Sequence, residues 1–185
     1  MGISWEPNLK VSFPRFNLPC RVTCPHRTPG CSRYCYAYKS ERMWPAVRHQ
    51  RAGNLLLAKS PGFVNWMCGQ LQDTKAPVIR IHESGDFYSL GYFRKWARIA
   101  RAFPRTRFYA FTKEFALFRE ARPKNFTLIA SQFYDEQREL PAGVPVFQTV
   151  QHGEVGVGQK CHGLCEQCGI CPFAKSGLRV WTERH

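Results

Sequence analysis

The chain has 185 residues, of which 44% are hydrophobic, and a formal net charge of +14. This size and composition exclude a disordered chain and suit a single domain with a hydrophobic core. No apolar run is long enough to span a bilayer, and the stretch MGISWEPNLK lacks the pattern of a secretory signal. We therefore expect a soluble, cytoplasmic protein. Its charge favours an anionic partner such as nucleic acid, unless it serves solubility alone.

The first third of the chain is predicted to contain little regular structure before two helices. The first forty residues are rich in Pro, Cys and Arg and are predicted to be loop, with one short strand at 9–13. A helix is predicted at 44–60, because Pro45 favours a helix start there. A second helix is predicted at 60–73, with Ser60 as its N-cap and Pro61 in its first turn.

From residue 78 onwards, strands alternate with helices. Strands are predicted at 78–82, 107–111, 126–131 and 144–150. An amphipathic helix is predicted at 89–103, with Tyr92, Trp96, Ile99 and Phe103 on one side, and a short helix at 112–121. This order predicts an α/β fold with a parallel sheet. Four clear strands, and five or six in all, indicate a small partial (β/α) barrel, because a full eight-unit barrel needs a longer chain.

We interpret residues 1–185 as a single domain in three parts. A cysteine-rich N-terminal loop covers 1–40, the βα core covers 41–150, and a cysteine-rich C-terminal segment covers 151–185. The nine cysteines fall mostly in the two outer parts. In a reducing compartment, grouped cysteines are more often metal ligands or redox groups than disulfides.

The C-terminal segment contains the stretch CHGLCEQCGIC, followed by a proline. Its four cysteines are Cys161, Cys165, Cys168 and Cys171. The pattern C-x3-C-x2-C-x2-C-P is close to the ferredoxin-type run that binds iron–sulfur clusters. Structural zinc sites usually place a longer spacer between two cysteine pairs, whereas only Glu166 and Gln167 separate the middle cysteines here. A 4Fe–4S cluster is therefore favoured, with zinc as the alternative.

The N-terminal part contains a second set of four cysteines, in CRVTCPHRTPGCSRYCYAY. These are Cys20, Cys24, Cys31 and Cys35. Their spacing is less specific, but two such sets in one chain are more specific than either alone, so we predict two 4Fe–4S clusters. The ninth cysteine, Cys68, lies on an apolar helical stripe and is expected to act as a small buried hydrophobe.

A polar turn, RIHESGDFYS, lies where a strand ends and a helix begins. This edge of a parallel sheet is where α/β proteins bind ligands. We predict His82, Glu83 and Asp86 as candidate catalytic residues. Ser84 and Gly85, with Lys113 and Ser131 after the next two strands, are candidate cofactor-binding residues. The alternative is that Asp86 or Ser89 only caps the next helix.

Arginines recur along the 89–103 helix and beyond it. They are Arg94, Arg98, Arg101, Arg105 and Arg107. Such a stripe is typical of a solvated helix face, and its length also allows a phosphate-binding patch.

With these motifs, the chain resembles the small cysteine-rich bacteriophage proteins of the gene product 88 family. The resemblance rests on LPCRVTCP, on CSRYCYAY, on RIHESGDFYSLGYFRKWARIA followed by FYAFTK, and on the closing four-cysteine run. It covers most of residues 18–172. It implies a phage-encoded protein in the host-cell cytoplasm.

More distantly, the layout resembles radical S-adenosylmethionine enzymes. Cys24, Cys31 and Cys35 occupy the order of their cluster-binding loop, and Tyr36 that of the aromatic residue expected to flank the adenine. Residues 84–86 correspond to their methionine-binding turn. The usual spacing C-x3-C-x2-C is absent from 24–35, however, and occurs instead at 161–168. Cys171 is available as a fourth ligand of the C-terminal cluster. If Cys20 also serves as the fourth ligand of the N-terminal cluster, no iron is left open, and otherwise the N-terminal cluster is the one with an open iron.

Two functions therefore stay open from the sequence. The first is a redox or radical S-adenosylmethionine-like enzyme, in which an open iron acts near Asp86. The second is a non-enzymatic iron–sulfur or zinc-stapled basic protein that binds nucleic acid or a host partner. Because loops after parallel strands collect at one edge of a sheet, we expect the two cysteine sets to lie near the same edge.

Overall fold

The computed structural model describes residues 1–6, 8, 11–72, 74 and 76–184. The strands are β1 (Arg15–Phe16), β2 (Val78–Ile81), β3 (Arg107–Thr112), β4 (Phe126–Phe133), β5 (Val146–Val150), β6 (Gln159–Lys160) and β7 (Arg179–Glu183). The helices are α1 (Pro29–Arg33), α2 (Tyr36–Met43), α3 (Pro45–Lys59), α4 (Phe63–Gln72), α5 (Leu90–Ala102) and α6 (Cys165–Cys168). Two 3₁₀ turns cover Phe115–Arg119 and Cys171–Phe173.

The seven strands form one sheet in which every pairing is parallel. Their order is β1-β2-β3-β4-β5-β7-β6. The first five strands are thus neighbours in chain order, as in a (β/α) barrel. The predicted α/β class with parallel strands is confirmed. Seven strands exceed the five or six expected because two of them, β1 and β6, are only two residues long.

The prediction of a strand at 9–13 is wrong for the described part of that range. Residues 9 and 10 lie outside the described residues, and residues 11–13 form no strand. The first strand is β1, because its backbone pairs with β2: the N–H groups of Arg80 and His82 donate to the carbonyls of Pro14 and Phe16. The position of this first strand is set by its pairing with β2, which is distant in sequence. Local strand propensity does not encode that pairing.

The first forty residues are also more ordered than the predicted loop. Helix α1 has Pro29 in its first turn, and the Thr28 hydroxyl caps it by accepting from the Cys31 N–H. Helix α2 starts directly after Cys35.

Two predicted helices differ from those in the structure. Ser60 ends α3, where its N–H donates to the carbonyls of Leu56 and Leu57. Because Ser60 is the C-cap of α3, it is not the predicted N-cap of a helix at 60–73, and α4 begins at Phe63. The predicted short helix at 112–121 is only the 3₁₀ turn Phe115–Arg119.

One face of the sheet is covered by helices. The amphipathic pattern of α5 is confirmed: Tyr92, Trp96 and Ile99 are buried in this core, and Ser89 caps the helix as the alternative interpretation expected. Cys68 packs against the same core, but it is only half-buried rather than buried as predicted. Within the described ranges, no helix combines the length and apolar character needed to cross a membrane.

The opposite face, which we call the inner face, is covered by the C-terminal segment. Strand residues alternate between the two faces, so Phe108 joins the helix side while Tyr109 joins a second cluster with Val78 and Ile129. Cys171 and Ala174 pack against this second cluster. The C-terminal cysteine segment is therefore a layer of the fold.

His82 follows β2 and lies on the helix side in the left-handed region, with φ of 66°. Its side chain is 2% exposed, and its Nε2 lies 2.9 Å from the Tyr92 hydroxyl. The Phe87 ring centroid lies 4.8 Å from the imidazole centroid. Burial, and to a lesser extent the charge of Arg80, lowers the pKa of His82 to about 3. The imidazole is therefore neutral at pH 7.

This burial predicts a specific pH dependence of stability. In the unfolded chain His82 has its ordinary pKa, about 6.5. Below this pH His82 is protonated in the unfolded chain but stays neutral in the folded chain, so the free energy of unfolding falls with falling pH. Between pH 7 and pH 5 the His82 contribution amounts to about 2 kcal/mol. Chemical denaturation of the wild type and of His82→Gln at both pH values measures it. The variant is less stable at pH 7 but loses less stability on acidification, and equal losses in both proteins would contradict the assignment.

Candidate metal centres

The N-terminal cysteine loop lies against the turn that follows β2. The Leu18 N–H donates to the Ser84 carbonyl over 2.9 Å, and the Asp86 N–H donates to the Thr23 carbonyl over 3.2 Å. Gly85 adopts φ of 88°, and a Cβ there would lie 2.6 Å from the Thr23 hydroxyl and 2.7 Å from the Leu18 Cβ. Only glycine permits this close approach, so Gly85 holds the cysteine loop against the turn.

The same loop is held from a second side by residues after β4. The Asp135 carboxylate accepts hydrogen bonds from the Thr28 hydroxyl and from the Gly30 N–H, the latter over 2.6 Å. Arg138 donates to the carbonyls of Lys113 and His26. Sequence reasoning did not identify Asp135 or Arg138, because no local pattern links them to a loop more than a hundred residues away.

The thiols of this set influence one another directly. The Cys20 and Cys35 thiols interact: this interaction, with burial, raises the pKa of Cys20, and it lowers the pKa of Cys35 to about 6. Burial raises the pKa of Cys24 to about 12. Negative charge on Cys31 and Cys35 acts in the same direction on Cys24. The four thiols thus share one neighbourhood.

Charged residues surround this neighbourhood. Asp86 raises the pKa of Cys24, after burial. Lys113 opposes the effect of burial on the pKa of Cys31. The guanidinium of Arg21 lies 3.5 Å from the Tyr38 ring centroid and lowers the pKa of Cys35 after stronger contributions from Cys20 and backbone amides.

Asp86 and Lys113 meet at the carboxyl edge of the sheet, where the sequence placed them, whereas Ser131 lies within β4 and not after it as predicted. One Asp86 oxygen accepts from the Phe87 N–H and the Thr112 hydroxyl, and the other accepts from the Lys113 N–H over 2.8 Å. The Lys113 Nζ donates to the Ser131 hydroxyl over 2.7 Å. Burial raises the pKa of Asp86, and these donors oppose that rise. The carboxylate therefore ties the β2 turn to the end of β3.

The other predicted site residues have different partners. The Glu83 carboxylate lies 2.8 Å from Arg15 Nε, and its carbonyl accepts from the Tyr36 hydroxyl. The Ser84 hydroxyl donates to the Leu18 carbonyl. With His82 on the helix side, the three candidate catalytic residues do not converge: Asp86 lies beside the cysteines, Glu83 is in an ion pair, and His82 is in the core.

The C-terminal cysteines surround a single cavity. The run follows β6, and the Cys161 N–H donates to the Trp181 carbonyl over 2.7 Å. All four cysteines, Cys161, Cys165, Cys168 and Cys171, line a small cavity of about 20 Å³ together with Tyr109. Burial raises the pKa of Cys171 to about 12, and negative charge on Cys161 and Cys165 adds to the rise. The Thr127 hydroxyl fixes the end of the run by donating to the Pro172 carbonyl.

Both sets approach the same part of β2. Arg80 lies within electrostatic reach of Tyr36, which follows Cys35, and of Cys165 in the C-terminal run. The first set follows β1 and lies at the carboxyl edge, whereas the second begins after β6 and crosses the inner face to Cys171. Sequence reasoning missed Arg80, since a single arginine within a strand carries no motif.

Among the residues that the structure describes, no group of three or more His, Cys, Asp or Glu side chains has the arrangement needed to hold one metal ion.

Comparison with known proteins relates the chain to phage proteins. The family model described as Gene product 88 matches residues 4–152. The Gene 88 protein of Mycobacterium phage D29 is 24% identical, and that of Mycobacterium phage L5 is 30% identical. Each match covers 88% of this chain and 83% of the relative. No solved structure matches the chain. The matched range of the family model includes the first cysteine set and ends before the second.

Proposed function

The chain belongs to the gene product 88 family of phage proteins, and we propose that it binds two 4Fe–4S clusters, one at each set of four cysteines. The proposal places it in the host-cell cytoplasm, where free thiols persist. The observation that carries the proposal is the cavity surrounded by Cys161, Cys165, Cys168 and Cys171.

The chemistry of this donor set fits a cluster. Four thiols that line one cavity repel one another when ionised, and burial raises the pKa of Cys165 and Cys171. Without a cation, burial therefore favours the protonated form of Cys165 and Cys171. Binding of iron would hold them as thiolates and would offset both burial and repulsion.

The fixed framework around the N-terminal cysteines is the observation that supports a second cluster there. Gly85, Asp86 and Asp135 hold the loop at three points of the carboxyl edge. The electrostatic interaction between the Cys20 and Cys35 thiols supports Cys20 as a fourth ligand. Four thiolates would complete the coordination of a cluster and leave no iron open.

The form of the donor sets distinguishes a cluster from one ion. Four sulfurs around a single zinc ion lie about 2.3 Å from it, and hence within about 4 Å of one another. In a cluster each thiolate binds a different iron, so the sulfurs surround a volume. The C-x3-C-x2-C-x2-C-P spacing of the C-terminal run is typical of the second arrangement, and structural zinc remains the alternative outcome of the test.

Anaerobic purification tests this proposal. We expect a brown protein with broad visible absorption, containing about eight iron and eight sulfide per chain. Cys161→Ser is expected to lose about half of the iron, because it removes one ligand of the C-terminal cluster. Cys68→Ser is the matched control and retains all of it, since Cys68 packs against the helix-side core. A colourless protein with stoichiometric zinc would overturn the proposal in favour of zinc.

Activity with S-adenosylmethionine stays a prediction. It requires an open iron at the N-terminal set, near Tyr36, Asp86 and Lys113. Titration of the reduced protein, followed by electron paramagnetic resonance, measures it. A changed cluster signal with release of methionine or deoxyadenosine would establish an enzyme, and an unchanged signal is expected if Cys20 is the fourth ligand.

A second candidate function, binding of single-stranded nucleic acid, is favoured by the outer surface of α2 and α3. We call this the α2–α3 surface and define it by Lys39, Arg42, Met43, Trp44 and Arg48. Trp44 is 61% exposed and Met43 is 68% exposed. Basic residues beside exposed aromatic rings provide phosphate contacts and stacking platforms for bases.

The charge of the part of the chain that contains this surface is predominantly positive. Residues 1–60 contain ten Lys and Arg but only two Glu. Of these, Glu41 is not presented to a ligand, because it pairs with Arg51 over 3.0 Å and accepts from the Cys20 N–H. By contrast, Arg94 on α5 pairs with Glu120, and Arg107 donates to a backbone carbonyl. The α2–α3 surface is therefore the better candidate than the arginine stripe on α5.

Fluorescence anisotropy with a labelled single-stranded oligonucleotide tests this surface. Trp44→Ala is expected to weaken binding by about 5- to 100-fold through lost stacking. The double variant Arg42→Gln/Arg48→Gln is expected to reduce the slope of log K against log salt by about 1.4. The control is Arg98→Gln/Arg101→Gln on α5, which keeps wild-type binding. Equal weakening by the control, or no binding by the wild type, would exclude the surface.

A further inference from the structure

The Tyr109 hydroxyl is a buried polar group with an unused proton. Tyr109 lies on the inner face, is 1% exposed, and its hydroxyl has no hydrogen-bond partner among the described residues. The nearby guanidinium of Arg80 does not change this, because arginine only donates hydrogen bonds. A buried donor without an acceptor costs about 1–3 kcal/mol. The position therefore indicates an acceptor that binds there.

The space beside this hydroxyl is the C-terminal cysteine cavity. Tyr109 lines it together with the four cysteines, and negative charge on Cys165 and Cys171 raises the pKa of Tyr109, after burial. Among the other side chains that line this cavity, only the cysteine sulfurs can accept from the hydroxyl. Hydrogen bonds to the sulfurs are one of the main determinants of the reduction potential of iron–sulfur clusters.

Arg80 brings a positive charge to the same place. Its guanidinium lies 5.0 Å from the Phe111 ring centroid and 6.0 Å from the Tyr109 ring centroid. Its Nε donates to the His82 carbonyl. Burial alone would lower its pKa, but arginine keeps its proton in proteins, and the Glu83 carboxylate is among the groups that raise the pKa of Arg80. Arg80 therefore stays charged on the inner face beside the cysteine run.

We propose that Tyr109 and Arg80 are positioning residues that set the reduction potential of the C-terminal cluster. This inference rests on the proposed function, because it requires that cluster to be present. The Tyr109 hydroxyl donates a hydrogen bond to a sulfur of the cluster site, and Arg80 supplies a counter-charge. Both interactions strengthen when the cluster gains an electron, so both raise its potential. The N-terminal set has the Asp86 carboxylate among its neighbours, and its cations are Lys113 and Arg21.

Redox titration with dithionite as the one-electron reductant, followed by electron paramagnetic resonance, tests this inference. Cys161→Ser identifies the C-terminal cluster as the signal that disappears. Tyr109→Phe keeps the ring and removes only the hydroxyl. We expect it to retain its iron but to lower the potential of that signal, equivalent to about a tenfold smaller ratio of reduced to oxidised cluster at a fixed ambient potential.

Arg80 is tested with two substitutions that separate charge from folding. Arg80→Gln is expected to lower the same potential, and Arg80→Lys, which keeps a positive charge, to restore most of it. The control is Tyr88→Phe, which removes a hydroxyl from a ring stacked on Tyr92 at the helix side and leaves both potentials unchanged.

The outcomes separate this inference from the proposed function. Absence of iron and sulfide in the wild type would overturn the proposed function itself. Retained iron with unchanged potential in both Tyr109→Phe and Arg80→Gln would overturn only the role of these two residues. A fall in the potential of the N-terminal signal instead would assign the two residues to the other cysteine set.

Discussion

The rest of the arrangement depends on the hydrogen bonds that the buried Asp86 carboxylate accepts. It accepts from the Thr112 hydroxyl and the Lys113 N–H and so joins the β2 turn to the end of β3. On its other side, the Asp86 N–H binds the N-terminal cysteine loop through the Thr23 carbonyl. One residue thereby fixes the sheet edge and the first cysteine set to each other. Gly85, which has no side chain, allows the loop to approach closely enough for this contact.

The two faces of the sheet have different tasks. The helix side contains the aromatic core, in which Trp96 and Phe16 are fully buried. The inner face is covered by the C-terminal run, where Cys171 packs against the group of apolar side chains that includes Tyr109. Because this short layer contains few apolar side chains, its stability would depend strongly on what the four thiols bind. Metal binding and folding of the C-terminal segment are thus expected to be coupled.

The fold was predictable where the pattern is local. The periodicity of α5 and the apolar strands β2 to β5 identified the α/β class, and the spacing of the thiols identified both cysteine sets. The role of His82 was not predictable, because its left-handed backbone turns the side chain into the core. Asp135, Arg80 and Tyr109 were missed for a related reason. Their importance arises only when strands distant in sequence become neighbours, and no spacing rule expresses that.

The central claim is that each set of four cysteines encloses its own cluster, with the C-terminal one on the inner face beside Tyr109. Anomalous diffraction at the iron edge from anaerobically grown crystals tests this most directly. The account predicts two separate four-iron sites, one among Cys20, Cys24, Cys31 and Cys35 and the other in the cavity of Cys161, Cys165, Cys168 and Cys171. Single peaks at the zinc edge, or a C-terminal cavity without metal in protein that contains iron elsewhere, would contradict it.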